Sequence, residues 1–274
     1  MKLRTRLSRL LASSPIAFLP VRVRKGAARG ARWTLLPFSA NWRHGGEGDL
    51  EPGLARLKEV RGAVCWDFGA HFGIHTVGMA MQVGLSGQVV AFEPDPVAFA
   101  RLELHVRKND LSNVVSILAA VSSSSDSVEL ISVGGLGSTL SHLRYPDEPV
   151  AQAEVTLEVK SVVPDALVAS GRIRLPDLIK VDVQGHGASA LRGSIESIRA
   201  RHPVIIFSSH SPWELREARE LLEPLGYGVQ SLAGEPIPWE RLGVETGILI
   251  APSTPPATGS LPPHADRPDG ILIS

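Results

Sequence analysis

Cysteine is almost absent from this sequence, in which Cys65 is the one cysteine among 274 residues. A single cysteine excludes an intramolecular disulfide and a cysteine-rich zinc site. Long apolar runs are missing too, because no stretch approaches the roughly 18 to 20 apolar residues that a membrane-spanning helix needs. We therefore expect a protein of a reducing, cytoplasmic setting that does not cross a membrane.

Acidic residues are missing from positions 1–46, which carry ten lysines and arginines. The rest of the chain holds 18 basic and 28 acidic side chains, so the two parts differ in the sign of their charge. This asymmetry predicts that residues 1–44 form a basic N-terminal arm. Three alternatives are open for it: an arm that is solvated or docked on acidic residues, an anchor peripheral to an anionic membrane surface, and a signal peptide. The third is disfavoured because Pro15 and Pro20 interrupt the apolar stretch.

Proline accounts for six of the 24 residues from Ala251 to Ser274. Segments of this composition bury too little apolar surface to offset chain entropy, so we expect a disordered tail over residues 251–274. Residues 45–250 remain as one predicted domain. Hydrophobic residues make up 43% of the chain and charged residues 20%, a balance that allows this domain a sizeable core.

Short apolar segments alternate with helical patterns along this predicted domain. Apolar runs that predict buried strands lie at 64–66, 88–92, 178–183 and 204–207, and apolar residues at helical spacing follow each of them. The alternation predicts an α/β fold, Rossmann-like, with a doubly wound and mostly parallel sheet of seven strands. In such a sheet ligands bind at the carboxyl ends of the strands, where the strand order reverses.

A long segment between Val121 and Val163 interrupts this alternation. Residues 128–133 and 155–159 alternate apolar and polar side chains, which predicts a β-hairpin insertion around a glycine-rich loop at 134–137. Two interpretations are open for the insertion. It is either a lid or substrate wall, as long segments in compact domains often are, or a hairpin without such a role.

Two motifs at predicted strand ends indicate a nucleotide-type ligand. The run Asp67-Phe68-Gly69-Ala70-His71-Phe72-Gly73 follows the first strand, and its glycines allow a tight turn and a close approach to a ligand. The run lacks the G-x-G-x-x-G pattern of dinucleotide sites, and Asp67 suits a ligand with an ammonium or sulfonium charge. Glu93 ends the second strand, where a carboxylate can accept hydrogen bonds from both hydroxyls of a ribose. Together the motifs favour an adenosine-type cofactor without a pyrophosphate.

A third group of polar residues indicates acid–base chemistry. Asp182 lies at the end of the third of these strands, His186 follows that strand, and His210 follows the fourth. We predict Asp182 and His186 as the catalytic residues. The histidine would serve as a base near neutral pH or as a substrate anchor, and the carboxylate would orient a histidine or bind a substrate hydroxyl. Asp182 as a helix cap or as a ligand of a divalent ion remains an alternative, as does His210 as a helix cap. No metal is predicted, because His71 and His75 are typical of satisfied pocket or surface residues.

In these motifs the sequence resembles the FkbM-type S-adenosylmethionine-dependent methyltransferases, which have the class I methyltransferase fold. The resemblance covers roughly residues 45–232 and rests on three runs, namely 67–73, Ala91-Phe92-Glu93-Pro94-Asp95-Pro96 and Ile179-Lys180-Val181-Asp182-Val183-Gln184-Gly185. It implies S-adenosyl-L-methionine as the cofactor and methyl transfer to an oxygen of a small-molecule or glycosidic acceptor. The sequence departs from the family at Gln184 and Gly187, where the family usually or often has glutamate.

The resemblance also implies cofactor contacts for individual residues. It places Glu93 at the ribose, and Ala120 together with Ala119 near the adenine. Glu47 matches an acidic residue that the family often has about 20 residues before its first motif, so we expect it to face the cofactor. The residues expected to hold the methionine half are Asp67, Gly69, Ala70 and Gly73.

Two other functions remain open at this point. One is a non-catalytic module that binds S-adenosylmethionine, which the residues at 184 and 187 favour. The other is a nicotinamide-dependent oxidoreductase, which the missing G-x-G-x-x-G pattern disfavours. A nucleic acid is not expected as a partner, because the predicted domain is acidic and the basic arm lacks interleaved aromatic residues.

Overall fold

The computed structural model describes residues 19–35, 41–46, 48–133, 137, 141–143, 154–242 and 248–252. Glu47, the first 18 residues of the predicted arm and the predicted tail beyond Pro252 lie outside these ranges. The strands are β1 (Pro20–Arg22), β2 (Arg32–Thr34), β3 (Val64–Phe68), β4 (Gln88–Phe92), β5 (Val114–Ile117), β6 (Ala120–Val121), β7 (Ser127–Val133), β8 (Ser141–Leu143), β9 (Glu154–Val162), β10 (Leu178–Val181), β11 (Val204–Phe207), β12 (Tyr227–Gln230), β13 (Pro236–Ile237) and β14 (Ile248–Pro252).

Helices separate most of these strands. They are α1 (Asn41–His44), α2 (Leu50–Leu54), α3 (Ile74–Val83), α4 (Pro96–Lys108), α5 (Pro164–Ala169), α6 (Gly187–Arg192), α7 (Ile195–Arg201) and α8 (Pro212–Leu222). Asp95 caps α4, because its carboxylate accepts hydrogen bonds from the backbone of Val97 and Ala98 and Pro96 occupies the first turn. Among the described residues, no helix combines the length and the apolarity that a membrane crossing requires.

Over the described residues the main sheet has eight strands, in the order β13-β12-β14-β11-β10-β3-β4-β5. Strands β5, β4, β3, β10 and β11 are parallel, and β14 is antiparallel to both β11 and β12. The predicted doubly wound, mostly parallel sheet is confirmed. Its strand number exceeds the predicted seven because the two-residue strand β13 pairs with β12 at the edge.

Alternate residues of the central strands face opposite layers of helices, because side chains in a strand alternate with a period of two. Trp66 and Phe68 of β3 pack into the core on one face, and Cys65 packs beside Met79 of α3 on the other. Helices cover both faces, which is why these strands are almost continuously apolar. An ionisable side chain inside such a strand is buried and needs a partner of opposite charge.

The strand order reverses between β3 and β10. The chain continues from β3 through β4 to β5 on one side, and later places β10 and β11 on the other side. The two turns at this reversal meet, since the Asp182 backbone N–H donates to the Phe68 carbonyl oxygen at 3.1 Å. β10 ends at Val181, two residues before the predicted end, and the chain then turns at Gln184 and Gly185, which have φ angles of 40° and 81°.

The predicted hairpin insertion is also confirmed. β7 pairs antiparallel with β9, from Ser127 opposite Lys160 to Val133 opposite Glu154. β8 pairs with the other edge of β7, and β6 pairs with β9, so these strands form a second sheet of four within the described part of the chain. Its apolar side chains form a small core of their own with Ala120, and they include Leu130, Leu143 and Val159.

Part of the predicted basic arm is folded onto the domain. β1 and β2 form an antiparallel hairpin, and Trp33 of β2 stacks on the ring of His105 in α4 with ring centroids 3.5 Å apart. Thr34 Oγ1 lies 2.7 Å from His105 Nε2, and the Arg32 backbone N–H donates to Asn109. Residues of β1, β2 and the turn between them therefore pack against α3 and α4. Burial of the tryptophan holds this segment on the domain, while the arginine side chains extend into solvent.

Candidate active site

A cavity of about 370 Å³ lies at the carboxyl ends of β3, β4 and β10, where the strand order reverses. Its volume falls in the range of small-molecule and cofactor sites. The turns after β3, β4, β10 and β11 form most of its wall, and the start of β6 and the hairpin insertion complete it. This is the place that the parallel sheet predicts for a ligand.

Glu93 lies in the wall of this cavity, with its carboxylate held by two backbone donors. The His71 N–H donates to one oxygen at 2.7 Å, and the Asp95 N–H donates to the other at 2.9 Å. Burial raises the pKa of Glu93 to about 7, and these two donors oppose the shift. Each carboxylate oxygen retains acceptor capacity, so the group can accept hydrogen bonds from a pair of hydroxyls in the cavity.

The turn after β3 approaches the turn after β10 so closely that a side chain would not fit. Gly69 has a φ angle of 78°, and a Cβ atom there would collide with the Asp182 carbonyl oxygen. Gly73 begins α3 with a φ angle of 86°, and its Cβ atom would lie 2.5 Å from the Leu102 side chain. The glycines of the predicted motif therefore serve close approach of the backbone. Ala70 lies between them and lines the cavity.

A buried ammonium group joins the central strands beneath the cavity. Lys180 of β10 lies directly opposite Asp67 of β3, with Nζ 3.3 Å from one carboxylate oxygen. The ammonium group also donates to the Gly69 carbonyl oxygen at 2.9 Å and lies 3.7 Å from the Asp182 carboxylate. Burial opposes the charged form, but the neighbouring carboxylates, first that of Asp67, outweigh it and raise the pKa of Lys180. Lys180 therefore stays charged and fixes both turns.

Asp182 reaches the cavity and forms a pair with His210, called the Asp182–His210 pair below. His210 Nε2 lies 3.0 Å from Asp182 Oδ1, and both side chains line the cavity. Burial would raise the pKa of Asp182, but the Lys180 charge and the hydrogen bond with His210 hold it well below its usual range. The carboxylate is therefore ionised at neutral pH and orients the imidazole.

His186, the predicted base, lies elsewhere. Its Nε2 is 3.3 Å from the Ser122 hydroxyl, and among the described residues it is not part of the cavity wall. Burial lowers the pKa of His186. The helix-cap alternative for Asp182 is not supported, because its carboxylate contacts His210 while the Gly187 N–H of α6 donates to Glu214. The histidine that pairs with Asp182 is thus 28 residues away in sequence.

The hairpin insertion forms one wall of the cavity, which supports the first of its two predicted interpretations. Leu130, Ser141, His142 and Leu143 line the cavity. The insertion also contacts the turn after β4, because the Gly137 N–H donates to the Asp95 carboxylate at 2.6 Å. A ligand that occupies the cavity is therefore enclosed between the main sheet and the insertion.

The structure brings together some of the predicted site residues and separates others. Gly69, Ala70, Glu93, Ala120 and Asp182 line the same cavity. In the described part of the chain, the cavity wall does not include Asp67, Gly73 or His186. Asp67 is completely buried between Lys180 and the Thr76 hydroxyl, which donates to its second oxygen at 2.5 Å. Its place is beneath the site, where it holds Lys180.

Neither the contacts of Lys180 nor the pairing of His75 with Asp49 was predicted. Lys180 belongs to the run 179–185 of the sequence. A charged residue inside the apolar strand Leu178–Val181 indicates a buried partner of opposite charge. His75 lines the cavity with Asp49 behind it, at 3.4 Å between Nε2 and the carboxylate. The sequence carries no comparable signal for this second pair. Across the described residues, no three His, Cys, Asp or Glu side chains are arranged to hold a metal ion.

The residues of the cavity fit an adenosine-type cofactor. Glu93 presents a fixed carboxylate for ribose hydroxyls, and the small side chains of Ala119 and Ala120 line the same cavity. The turn at Gly69 and Ala70 lines the same cavity, and Gly69 lies against the backbone of Asp182. A ligand that fills the cavity would therefore contact both Glu93 and the Asp182–His210 pair.

Comparison with known proteins identifies one family. The sequence profile of the methyltransferase FkbM domain matches residues 67–229, more than half of the chain. A curated relative is the hexuronic acid methyltransferase AglP of Haloferax volcanii, which is 28% identical over 159 residues. The match covers 58% of this chain and 61% of that protein, so the chain spans about three fifths of its relative's length.

Solved structures of methyltransferases resemble the fold. The crystal structure of methyltransferase FkbM from Methylobacillus flagellatus has a TM-score of 0.48 at 17% identity, over 72% of this chain and 45% of the other. The fibrillarin of Aeropyrum pernix, in complex with S-adenosyl-L-methionine, has a TM-score of 0.40 at 16% identity, over 74% and 73% of the two chains. The profile match, which includes both cofactor motifs and the Asp182 turn, is the comparison that decides the family.

Proposed function

This chain belongs to the FkbM methyltransferase family, and on that premise we propose that it transfers a methyl group to a hydroxyl oxygen of a sugar-containing acceptor. Family membership confirms the predicted cofactor, S-adenosyl-L-methionine, and disfavours the nicotinamide-dependent alternative. When bound, the cofactor supplies an electrophilic methyl group on a sulfonium sulfur. The observation that carries the proposal is that the Asp182–His210 pair lines the same cavity as Glu93.

The main task of the chain in such a reaction is to position the donor and the acceptor, because methyl transfer is an in-line displacement. Glu93 binds the ribose hydroxyls through a carboxylate that two backbone donors hold in place. The backbone at Gly69 and Ala70 lies along the methionine half. The hairpin insertion excludes water from the reacting atoms by closing one wall.

The Asp182–His210 pair removes the proton of the acceptor hydroxyl. Asp182 accepts the hydrogen bond of the imidazole and stabilises its positive charge after proton uptake. The low pKa of Asp182 makes the carboxylate itself a poor proton acceptor, so the imidazole of His210 takes the proton. This assignment replaces His186 as the base and keeps Asp182 in its predicted orienting role.

The acceptor class follows from the curated relative and from the wall of the cavity. The relative is named for methyl transfer to a hexuronic acid. In this chain His142 and Ser141 of the insertion face the same cavity as the Asp182–His210 pair. Hydroxyl and imidazole groups can form hydrogen bonds with the hydroxyls and the carboxylate of a sugar acid.

A methyl-transfer assay tests the proposed function. Purified protein is incubated with S-adenosylmethionine and a panel of glucuronic acid, galacturonic acid, their glycosides and neutral sugars, and S-adenosylhomocysteine and methylated product are measured. We expect turnover with a sugar acid and a methyl ether in the product. A methyl ester, which forms on the carboxylate, contradicts transfer to a hydroxyl. Cofactor binding without any product supports the non-catalytic alternative.

Glu93→Ala is expected to weaken cofactor binding by about 1–3 kcal/mol, or roughly 5- to 150-fold in the dissociation constant. The substitution removes charge-assisted hydrogen bonds to the ribose while leaving the cavity open. Isothermal titration calorimetry with S-adenosylmethionine measures the change. Glu103→Ala, on the partly exposed face of α4, is the matched control and leaves the affinity unchanged. Equal affinity of Glu93→Ala and the wild type contradicts the ribose contact.

Cofactor affinity is also expected to rise with pH through about 7, because burial raises the pKa of Glu93 to that value. Ribose hydroxyls donate to the ionised carboxylate, so protonation below the pKa weakens binding by up to roughly tenfold per pH unit. Calorimetry at several pH values on either side of 7 measures the slope. Glu93→Gln, which cannot ionise, is expected to lose it. The same slope in the variant assigns the pH dependence to another group.

A further inference from the structure

Glu214 is a completely buried carboxylate in the first turn of α8. Its two oxygens accept hydrogen bonds from two different turns of the chain. The Gly187 N–H, at the start of α6, donates to one oxygen at 2.7 Å. The His210 N–H donates to the other oxygen at 2.8 Å. The side chain therefore connects the turn after β10 to the turn after β11.

Gly187 gives this carboxylate the space that it occupies. A Cβ atom at position 187 would lie 2.7 Å from a carboxylate oxygen of Glu214 and 3.0 Å from the ring of Phe207. Any other residue at this position would push the carboxylate away from one of its two donors. The glycine and the glutamate are thus two parts of one contact between α6 and α8.

The two turns that Glu214 connects carry the two members of the Asp182–His210 pair. Asp182 is fixed at its own end, because Lys180 and the backbone of Phe68 contact it. His210 follows β11 in a turn, and the Glu214 contact fixes its backbone N–H. A shift of this backbone would move the imidazole relative to Asp182, since the two atoms that join them are 3.0 Å apart.

We propose that Glu214 is a positioning residue, which holds His210 in register with Asp182 by binding the backbone of both turns. The inference rests on the proposed function, in which this pair takes the proton of the acceptor. Glu214 acts through His210 and does not itself touch the reacting atoms. An uncharged or shorter side chain cannot satisfy both donors, because an amide has one acceptor oxygen and aspartate is one methylene shorter.

Hydrogen exchange at the imidazole carbon of His210, measured by mass spectrometry, tests the proposal without an acceptor. The variants are Glu214→Gln and Glu214→Asp, and the control is Glu220→Gln on the exposed side of the same helix. His202, at the end of α7, is the internal reference for general loosening of the fold. We expect the exchange rate of His210 to change by about twofold or more relative to His202 in both Glu214 variants.

Turnover with the best acceptor of the sugar panel supplies the second measurement. In the Glu214 variants kcat is expected to fall about tenfold or more, while the KM for S-adenosylmethionine stays within about twofold. An unchanged hydrogen-exchange rate of His210 relative to His202 overturns the proposal, whether or not the protein shows methyl transfer. A changed exchange rate with a wild-type kcat overturns it as well. If the wild type methylates nothing, the proposed function fails, and the imidazole measurement still decides whether Glu214 positions His210.

Discussion

Asp182→Asn is expected to lower turnover about 10²- to 10⁴-fold while cofactor affinity stays within a few-fold. The carboxylate pairs with His210 Nε2 at 3.0 Å and is ionised because Lys180 and His210 hold its pKa below the usual range. An amide at this position is neutral and cannot stabilise the imidazolium that forms when the acceptor proton is removed. The loss therefore falls on the chemical step.

Single-turnover kinetics with saturating cofactor measure this loss, and calorimetry measures the affinity. Asp110→Asn is the matched control, because Asp110 is an exposed aspartate whose φ angle of 55° asparagine also adopts. We expect the control to behave as the wild type. Normal turnover of Asp182→Asn would show that the Asp182–His210 pair is structural only.

Lys180→Met is expected to lower the free energy of unfolding by about 3–5 kcal/mol. The ammonium group is the cationic partner of Asp67, which is completely buried, and it also binds the Gly69 carbonyl oxygen. Methionine has a similar volume and cannot replace either interaction. In the variant the Asp67 carboxylate stays in the core without its cationic partner, while the Thr76 hydroxyl still donates a hydrogen bond to one of its oxygens.

Chemical denaturation measures this loss, and a double-mutant cycle assigns it. Asp67→Asn added to Lys180→Met is expected to recover part of the stability, because a neutral amide costs less to bury than an unpaired carboxylate. Lys160→Met on the exposed face of β9 is the control and stays within about 0.5 kcal/mol of the wild type. Additive effects of the two substitutions in the core would exclude an interaction between Lys180 and Asp67.

The sheet and the positions of Gly69, Ala70 and Glu93 at the cavity were predictable, because local sequence determines them. Apolar runs such as 88–92 and 204–207 predict strands that are covered on both faces. The structure has strands with these bounds. Glu93 comes directly after such a run, and parallel strands bring their carboxyl ends to one edge. It therefore lies at the cavity, as do Gly69 and Ala70 of the turn after β3.

The folded part of the N-terminal segment was not predictable from charge. Ten basic residues with no acidic residue among them favour a separate arm. In the structure, however, Trp33 of β2 buries its ring against His105 of α4, so the hairpin of β1 and β2 packs on that helix. The burial of one aromatic side chain outweighs a charge pattern that solvent screens. The sequence offers no local sign of the distant surface that a tryptophan will contact.

By itself the sequence determined the α/β fold, the edge of the sheet at which ligands bind, and the carboxylates Glu93 and Asp182 at that edge. These follow from hydrophobic periodicity and from residues directly after strands, which are local properties of the chain. Tertiary structure alone decided which histidine meets Asp182, since His186 is four residues away but turns toward Ser122. His210 reaches Asp182 because β11 pairs with β10 in register and Glu214 holds the turn that follows. Contacts between neighbouring strands depend on register and on the packing of the helices between them, which no single segment encodes.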